Sequence, residues 1–195
     1  MHPILVTPED HREVPWRNGR GTSFQVWPRG SAAGRAGFQF NLTPIIAGGP
    51  FSHYPGIDRV LAVVTGSGLS FDGRDGAVAT GDIVAFAGEA AMVAHLARGS
   101  VAVFNLLMKR VEWTAAAHTI RGGAFELAPL AGELGVVHAA AGRWRCAALA
   151  GAAPGAGPTA LGEASTLIAR PGERLAFEPA VDGAMALAFT LRRRS

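Results

Sequence analysis

Residues 50–68 read PFSHYPGIDRVLAVVTGSG, and this stretch decides how the chain folds. Phe51, Ser52, His53 and Tyr54, the chain's only tyrosine, crowd ahead of the turn dipeptide Pro55–Gly56. Asp58 and Arg59 then lead into the apolar run Val60–Val64, which Gly66 and Gly68 close. A short apolar run bounded by glycines and rich in β-branched side chains predicts a strand over Arg59–Thr65.

The same texture recurs outward from this point. Ser23–Trp27, Leu69–Phe71, Ile83–Phe86, Met92–Leu96 and Val101–Met108 are further predicted strands with turn residues between them. In Phe38–Ile46 the alternation is regular: Phe38, Phe40 and Leu42 face one way, and Gln39, Asn41 and Thr43 the other. A second set follows at Arg143–Ala150, Thr166–Ala169, Arg174–Phe177 and Ala184–Leu191. The 26 glycines and 12 prolines show no collagen-like period, so they punctuate turns. Together these features predict an all-β chain of barrels or sandwiches. Exceptions are a short helical turn within Pro8–Arg12, a helical preference in the alanine-rich Thr114–His118, and a loop at GAAPGAGPTALG (151–162). The texture changes after Glu112, which predicts two units, 1–115 and 116–195, with the N-terminal strands free to join the second.

An apolar fraction of 49% and a charged fraction of 17% describe a compact folded chain. Net charge is only +3, and all but one of the 18 basic residues are arginines scattered along the sequence. The run Arg192–Arg194 reads as a solvated terminus, and no basic patch interleaved with aromatics accompanies it, so no nucleic-acid partner is expected. Cys146 is alone, which excludes an intrachain disulfide, and its apolar surroundings make it a core residue. No apolar run nears the ~20 residues of a membrane span, and MHPILVTPEDHREVPW lacks the pattern of a signal peptide. A soluble, cytoplasmic protein with no membrane partner is expected.

The spacing of the opening stretch resembles the first motif of the cupin barrels, G-x5-H-x-H-x3,4-E-x6-G, whose histidines and glutamate usually hold a metal. With the final glycine on Gly66, the glutamate position falls on Arg59. The histidine positions fall on His53 and Pro55, or on Ser52 and Tyr54 for the longer spacing. The second motif would need a histidine about where Ala91 stands, and His95 is out of register. A guanidinium repels a cation, and Zn, Mn or Fe needs three or four N, O or S donors, so no metal and no cofactor is expected. An arginine pointing into a barrel instead matches a carboxylate bidentately. Read alone, Arg59 fits equally well an ion pair with Asp58 or another acid.

The three asparagines, Asn18, Asn41 and Asn105, lie in turn-rich or alternating segments of a chain poor in amides. Taken together, PWRNGRGTSFQ (15–25), PFSHYPGIDRVLAVVTGSGL (50–69), GDIVAFAGE (81–89) and VFNLLMKR (103–110) resemble the HutD/Ves family of bicupin proteins associated with bacterial histidine utilisation. The likeness covers residues 15–110 in the family's order, and the C-terminal half matches only in outline. Against the family's P-W-K-N-G-G-G-x-T-R-E, Arg17, Arg20, Ser23, Phe24 and Gln25 are departures, as is Val103 before Phe104–Asn105.

The resemblance implies two cupin-like jelly-roll barrels, the first carrying a metal-free pocket for a small carboxylate such as urocanate or formylated glutamate. It implies a regulatory role in histidine breakdown and leaves a homodimer open. On this reading Arg59 is the carboxylate partner, Asn18, Asn41 and Asn105 supply donor–acceptor pairs, His53 and Tyr54 form the mouth, and Trp16 and Phe104 the apolar walls. Asn18 ahead of Gly19 also suits a tight turn, and His53 an exposed rim. The rival reading is a cupin-type isomerase or hydrolase with His53 as acid–base and Arg59 as electrostatic clamp.

Overall fold

The computed structural model describes residues 3–16, 18–29, 35–149 and 159–194. In chain order the first strands are β1 (Ile4–Val6), β2 (Arg12–Pro15), β3 (Thr22–Trp27), β4 (Phe38–Ile45), β5 (Gly49–Pro50), β6 (Ile57–Thr65), β7 (Leu69–Phe71), β8 (Ile83–Ala87), β9 (Val93–Leu96) and β10 (Val101–Lys109). They are followed by β11 (Trp113–Arg121), β12 (Phe125–Leu127), β13 (Glu133–Ala141), β14 (Trp144–Ala148), β15 (Thr159–Leu161), β16 (Thr166–Ala169), β17 (Leu175–Pro179) and β18 (Met185–Arg193). The expected helical turn is a 3-10 turn over Pro8–Asp10. It is held reciprocally: the Thr7 amide donates to Asp10 Oδ2 (3.1 Å) and the Asp10 amide to Thr7 O (3.0 Å). Among the described residues no helix is long and apolar enough to cross a membrane.

Two compact units divide at Trp113/Thr114, and the ten N-terminal residues cluster with the C-terminal unit. The reason is pairing: β1 lies antiparallel on β16, with Ile4 opposite Ile168 and Val6 opposite Thr166. In the unit His11–Trp113 a six-stranded antiparallel sheet, β2-β3-β4-β10-β6-β8, packs on a three-stranded one, β5-β9-β7. Leu61, Val63, Val84 and Val103 of the large sheet meet Leu69, Phe71 and Ala94 of the small one. The other unit stacks the five-stranded sheet β1-β16-β13-β18-β11 on the four-stranded sheet β12-β17-β14-β15. Its core joins Val137, Ala139, Leu167 and Ala186 to Trp144, Cys146, Leu175 and Phe177.

The expected all-β architecture is therefore present, with one correction. Among the described residues neither unit closes into a hydrogen-bonded barrel; each is a two-sheet sandwich. Strands of two to four residues in the β5-β9-β7 sheet are too short to bond both edges of the six-stranded sheet, so the sheets pack face to face instead. Two local expectations are also corrected. Thr114–His118 belongs to strand β11, where Thr119 and Ile120 and the ladder beside β18 override the helical preference of alanine. The stretch read as a loop at 151–162 ends in β15, paired with β14 through Trp144–Leu161 and Cys146–Thr159; its residues 151–158 lie outside those described.

The segment between β5 and β6 is a strap fastened to the turn after β8. The Phe51 amide donates to Met92 O (2.8 Å), the Tyr54 amide to Gly88 O (2.8 Å) and the Gly88 amide to Ile57 O (2.6 Å). A Cβ on Gly88 would stand 2.6 Å from Tyr54 O and 2.8 Å from Ile57 O, both backbone atoms. Gly88→Ala must push the strap outward and is expected to cost about 1–3 kcal/mol. A urea titration reads this as a lower unfolding midpoint; an unchanged midpoint would mean that the strap shifts freely.

Candidate anion-binding site

Residues directly opposite one another in a sheet share a face, so register alone places the inward side chains of the six-stranded sheet. One row runs Gln25 (β3), Asn41 (β4), Asn105 (β10), Leu61 (β6), Val84 (β8). The next runs Gln39, Leu107, Arg59, Phe86. A third carries Thr43, Val103 and Val63. Leu61, Val63 and Val84 lie in the core between the two sheets, so Arg59, Asn105 and Asn41 point into the sandwich. Gln25, Asn41, Thr43, Arg59 and Asn105 are all buried. The inner face is apolar at one end and polar at the other.

Arg59 is the only charged member of these rows, and it is 7% exposed. Its guanidinium carbon lies 4.9 Å from the Phe51 ring centroid, 5.0 Å from Phe86 and 5.8 Å from Tyr54. Phe86 arrives by cross-strand register and the other two from the strap. Ring faces attract the cation but accept none of its five N–H donors in the manner of a carboxylate. Among the described residues no acid pairs with it. Burial lowers its pKa to about 10, an effect that the Tyr54 phenol only partly opposes. Nε is sealed from solvent without a hydrogen-bond partner.

The neighbouring acids are committed elsewhere. Asp58 faces the opposite side of β6 and accepts from Arg110 Nε at 2.7 Å. Glu89 takes Arg110 Nη1 and Nη2 at 2.7 and 2.9 Å, and this bidentate pair, above all, holds its carboxyl down at about 2. The ion pair between Arg59 and Asp58 that the sequence allowed is not formed.

The structure thus gathers Arg59, Asn41, Asn105 and Tyr54. Trp16 is half-buried at the same inner face: its Nε1 donates to Ser23 Oγ (2.9 Å), which bonds Thr43 Oγ1 (2.8 Å). Asn18 stays outside, exposed, its Oδ1 accepting the Arg20 amide at 3.1 Å in a turn. His53 is exposed on the strap and contributes to holding the Glu89 carboxyl low. Phe104 is a correction. It alternates with Asn105, so it lies on the opposite face, stacked on Phe40 with centroids 5.3 Å apart, and cannot lie beside Arg59 on the inner face. Arg17 lies outside the described residues.

Gln25, Gln39, Thr43, Phe51 and Phe86 belong to the site without having been singled out for it. The alternation of Phe38–Ile46 carried the signal for Gln39 and Thr43, whereas Phe86 meets Arg59 only through long-range register. The metal that cupin barrels usually hold does not fit this donor set. A cation occupies the glutamate position, and among the described residues no group of three or more His, Cys, Asp or Glu could hold an ion. His95 points away from the core, exposed and bonded to Asp72 at 2.7 Å.

A family model described as HutD matches residues 8–189. A 21.2 kDa protein in the hutC 3′ region of Pseudomonas putida is 32% identical over 108 residues, 53% of this chain and 56% of that relative, so the match spans little more than half of the relative's length. The fold is shared with a conserved protein of unknown function from Pseudomonas aeruginosa PAO1 (TM-score 0.77, 20% identity, 100% of both chains). It is also shared with HutD from Pseudomonas fluorescens SBW25, solved in a formate condition (TM-score 0.74, 21% identity, 100% of both chains).

An uncompensated buried cation is a standing cost that an apolar side chain of similar length removes. Arg59→Met is expected to stabilise the ligand-free protein by about 1–3 kcal/mol. Thermal or urea unfolding without added anion measures this; a midpoint below that of the unmodified chain would show that the aromatic contacts outweigh desolvation.

Proposed function

The chain belongs to the HutD family, and from that premise we propose that the polar end of its N-terminal sandwich binds a small carboxylate and serves as a non-catalytic ligand sensor in histidine utilisation. The observation that carries this reading is Arg59, a buried guanidinium ringed by Phe51, Phe86 and Tyr54 with no acid to neutralise it. A carboxylate would supply the missing charge and fill the fork of donors, and the low dielectric of the site would strengthen the pair. Urocanate and N-formylglutamate are the first candidates, since the P. putida relative is described by its place in the hutC 3′ region. The exposure of His53 gives no support to acid–base chemistry inside the cup.

The pH dependence has a definite sign. With its pKa at about 10, Arg59 is cationic throughout the neutral range, and a carboxylate ligand is ionised above ~5. Affinity should therefore be flat from pH 6 to 9 and fall as pH rises past about 10. Scanning fluorimetry and titration calorimetry with urocanate, N-formylglutamate and formate test the proposal. At a hundredfold excess over Kd a ligand specific for the folded state adds about 2.7 kcal/mol. The gain should vanish in Arg59→Met. A silent panel, or an equal response in the variant, would overturn the reading.

A further inference from the structure

The six-stranded sheet of the N-terminal unit ends on β2 at one side and on β8 at the other. The β2 edge is blunted by Arg12, Glu13 and Pro15. β8, with the sequence IVAFA, carries no charge and no proline. Which of its backbone groups face outward follows from the ladder beside it. Gly88 donates to Ile57 O and Asp82 O accepts from the Val63 amide, so Val84 and Phe86 between them exchange bonds with β6. Ile83, Ala85 and Ala87 therefore aim their amides and carbonyls away from β6, where among the described residues no strand lies. The small side chain of Ala85 is exposed beside them.

The C-terminal unit completes the equivalent edge. Its strand order β16-β13-β18-β11 repeats β8-β6-β10-β4, with a register shift between the two central strands in each. Counted from that shift, Val84 opposite Leu61 is the counterpart of Leu167 opposite Val137. In the C-terminal unit β1 covers this position: Leu5 stands opposite Leu167 and packs on the core. Among the described residues no strand does the same for β8.

A cavity of about 230 Å³ lies at the start of the open edge, lined by Asp82, Ile83 and residues 74–78. Its acids are Asp75 and Asp82, against one cation, Arg74, and Asp82 Oδ2 accepts the Ala79 amide at 2.9 Å. At the far end Asp58 and Glu89 share Arg110. Each end thus carries one more acid than base. Two-fold antiparallel pairing of β8 with its own copy would bring unlike ends together but like charges with them, which is unfavourable.

We infer that the β8 edge accepts an extended segment of a partner protein, added antiparallel as β1 is on β16. That segment is apolar at alternate positions and carries an arginine or lysine toward its C-terminal end, where it meets Asp75 and Asp82. Main-chain bonds to Ile83, Ala85 and Ala87 supply affinity, and the acidic cavity supplies selectivity.

Fluorescence anisotropy of labelled, end-capped peptides with the full chain tests this. The peptide GTVTVTRG is designed to set its valines against Phe86 and Val84, its threonines against Ala87, Ala85 and Ile83, and its arginine beside Asp82. It is expected to bind about 10-fold more tightly than GTVTVTEG, and by a similar factor over a version N-methylated at the central threonine. Asp75→Asn should narrow the first difference. Ala85→Pro removes an outward amide without touching the β6 ladder and should abolish binding. The comparison among peptides on the unmodified chain stands even if that variant does not fold. Equal binding of the N-methylated peptide would overturn strand addition, and a preference for GTVTVTEG would overturn the basic end. No binding by any of the peptides at millimolar concentration would overturn the whole inference. So would a concentration-dependent dimer in sedimentation equilibrium that Ala85→Pro abolishes, because a second copy would then occupy the edge.

Discussion

Among the described residues Arg59 has no acidic partner because a second arginine occupies the acids around it. Arg110 holds Asp58 through Nε and Glu89 through both terminal nitrogens, three bonds of 2.7–2.9 Å that use the forked geometry of the guanidinium in full. Were Asp58 turned inward, it would neutralise Arg59 and close the site. The two-residue period of β6 prevents this: Asp58 and Arg59 are adjacent and point to opposite faces, so one is directed to the clamp and the other to the cup. Arg110 also donates its backbone amide to Gly56 O (3.0 Å), which ties the clamp to the strap that brings Phe51 and Tyr54 over Arg59. Charge separation and one of the strap's anchoring bonds therefore meet at one residue.

The aromatic ring contacts explain how the fold tolerates the buried cation. Phe51 and Phe86 stand at nearly equal distances from the guanidinium carbon, and a desolvated cation–π contact contributes roughly 2 kcal/mol. That offsets part of the desolvation cost and leaves the hydrogen-bonding demand of Nε unmet. On the proposed reading, a carboxylate would meet an arginine already desolvated among aromatic rings. The cost appears as lower stability of the empty protein, a trade familiar at functional sites.

How much of this was legible in the sequence depended on how local each signal was. The strand expected at 59–65, the position of Arg59 against the final glycine of the motif and the alternation of 38–46 are local, and the structure shows strands at Ile57–Thr65 and Phe38–Ile45. The pairing of Arg59 with Phe86 rather than Asp58 depends on register between strands some 25 residues apart, which no short window contains. Phe104 and Asn105 are instructive, because neighbours in one strand cannot line one cavity, and period two was sufficient to separate them. Asn18 followed its local chemistry into an Asx turn, as an asparagine before glycine commonly does. The alanines of β11 misled for the opposite reason: intrinsic preference is a fraction of a kcal/mol per residue, and a sheet ladder outweighs it.

The second sandwich shows what the first would be without its polar rows. Its described core positions are apolar: Val137, Ala139, Ala186 and Ala188 on one sheet, and Trp144, Cys146, Leu161 and Phe177 on the other. Phe125 stacks on Phe177 at 4.7 Å and meets Trp144 edge-on at 5.5 Å, so large rings fill the space over the small alanines. Burial raises the Cys146 thiol to about 11, far from a reactive thiolate. The single sealed polar atom among these core side chains, Trp144 Nε1, has no charged companion. Both units share the same two-sheet plan, so the plan alone does not create the site. What distinguishes the first is that two inward-facing rows exchanged packing for Gln25, Asn41, Asn105, Gln39 and Arg59. The difference between the two sandwiches lies in which side chains occupy the inward half of the strand period.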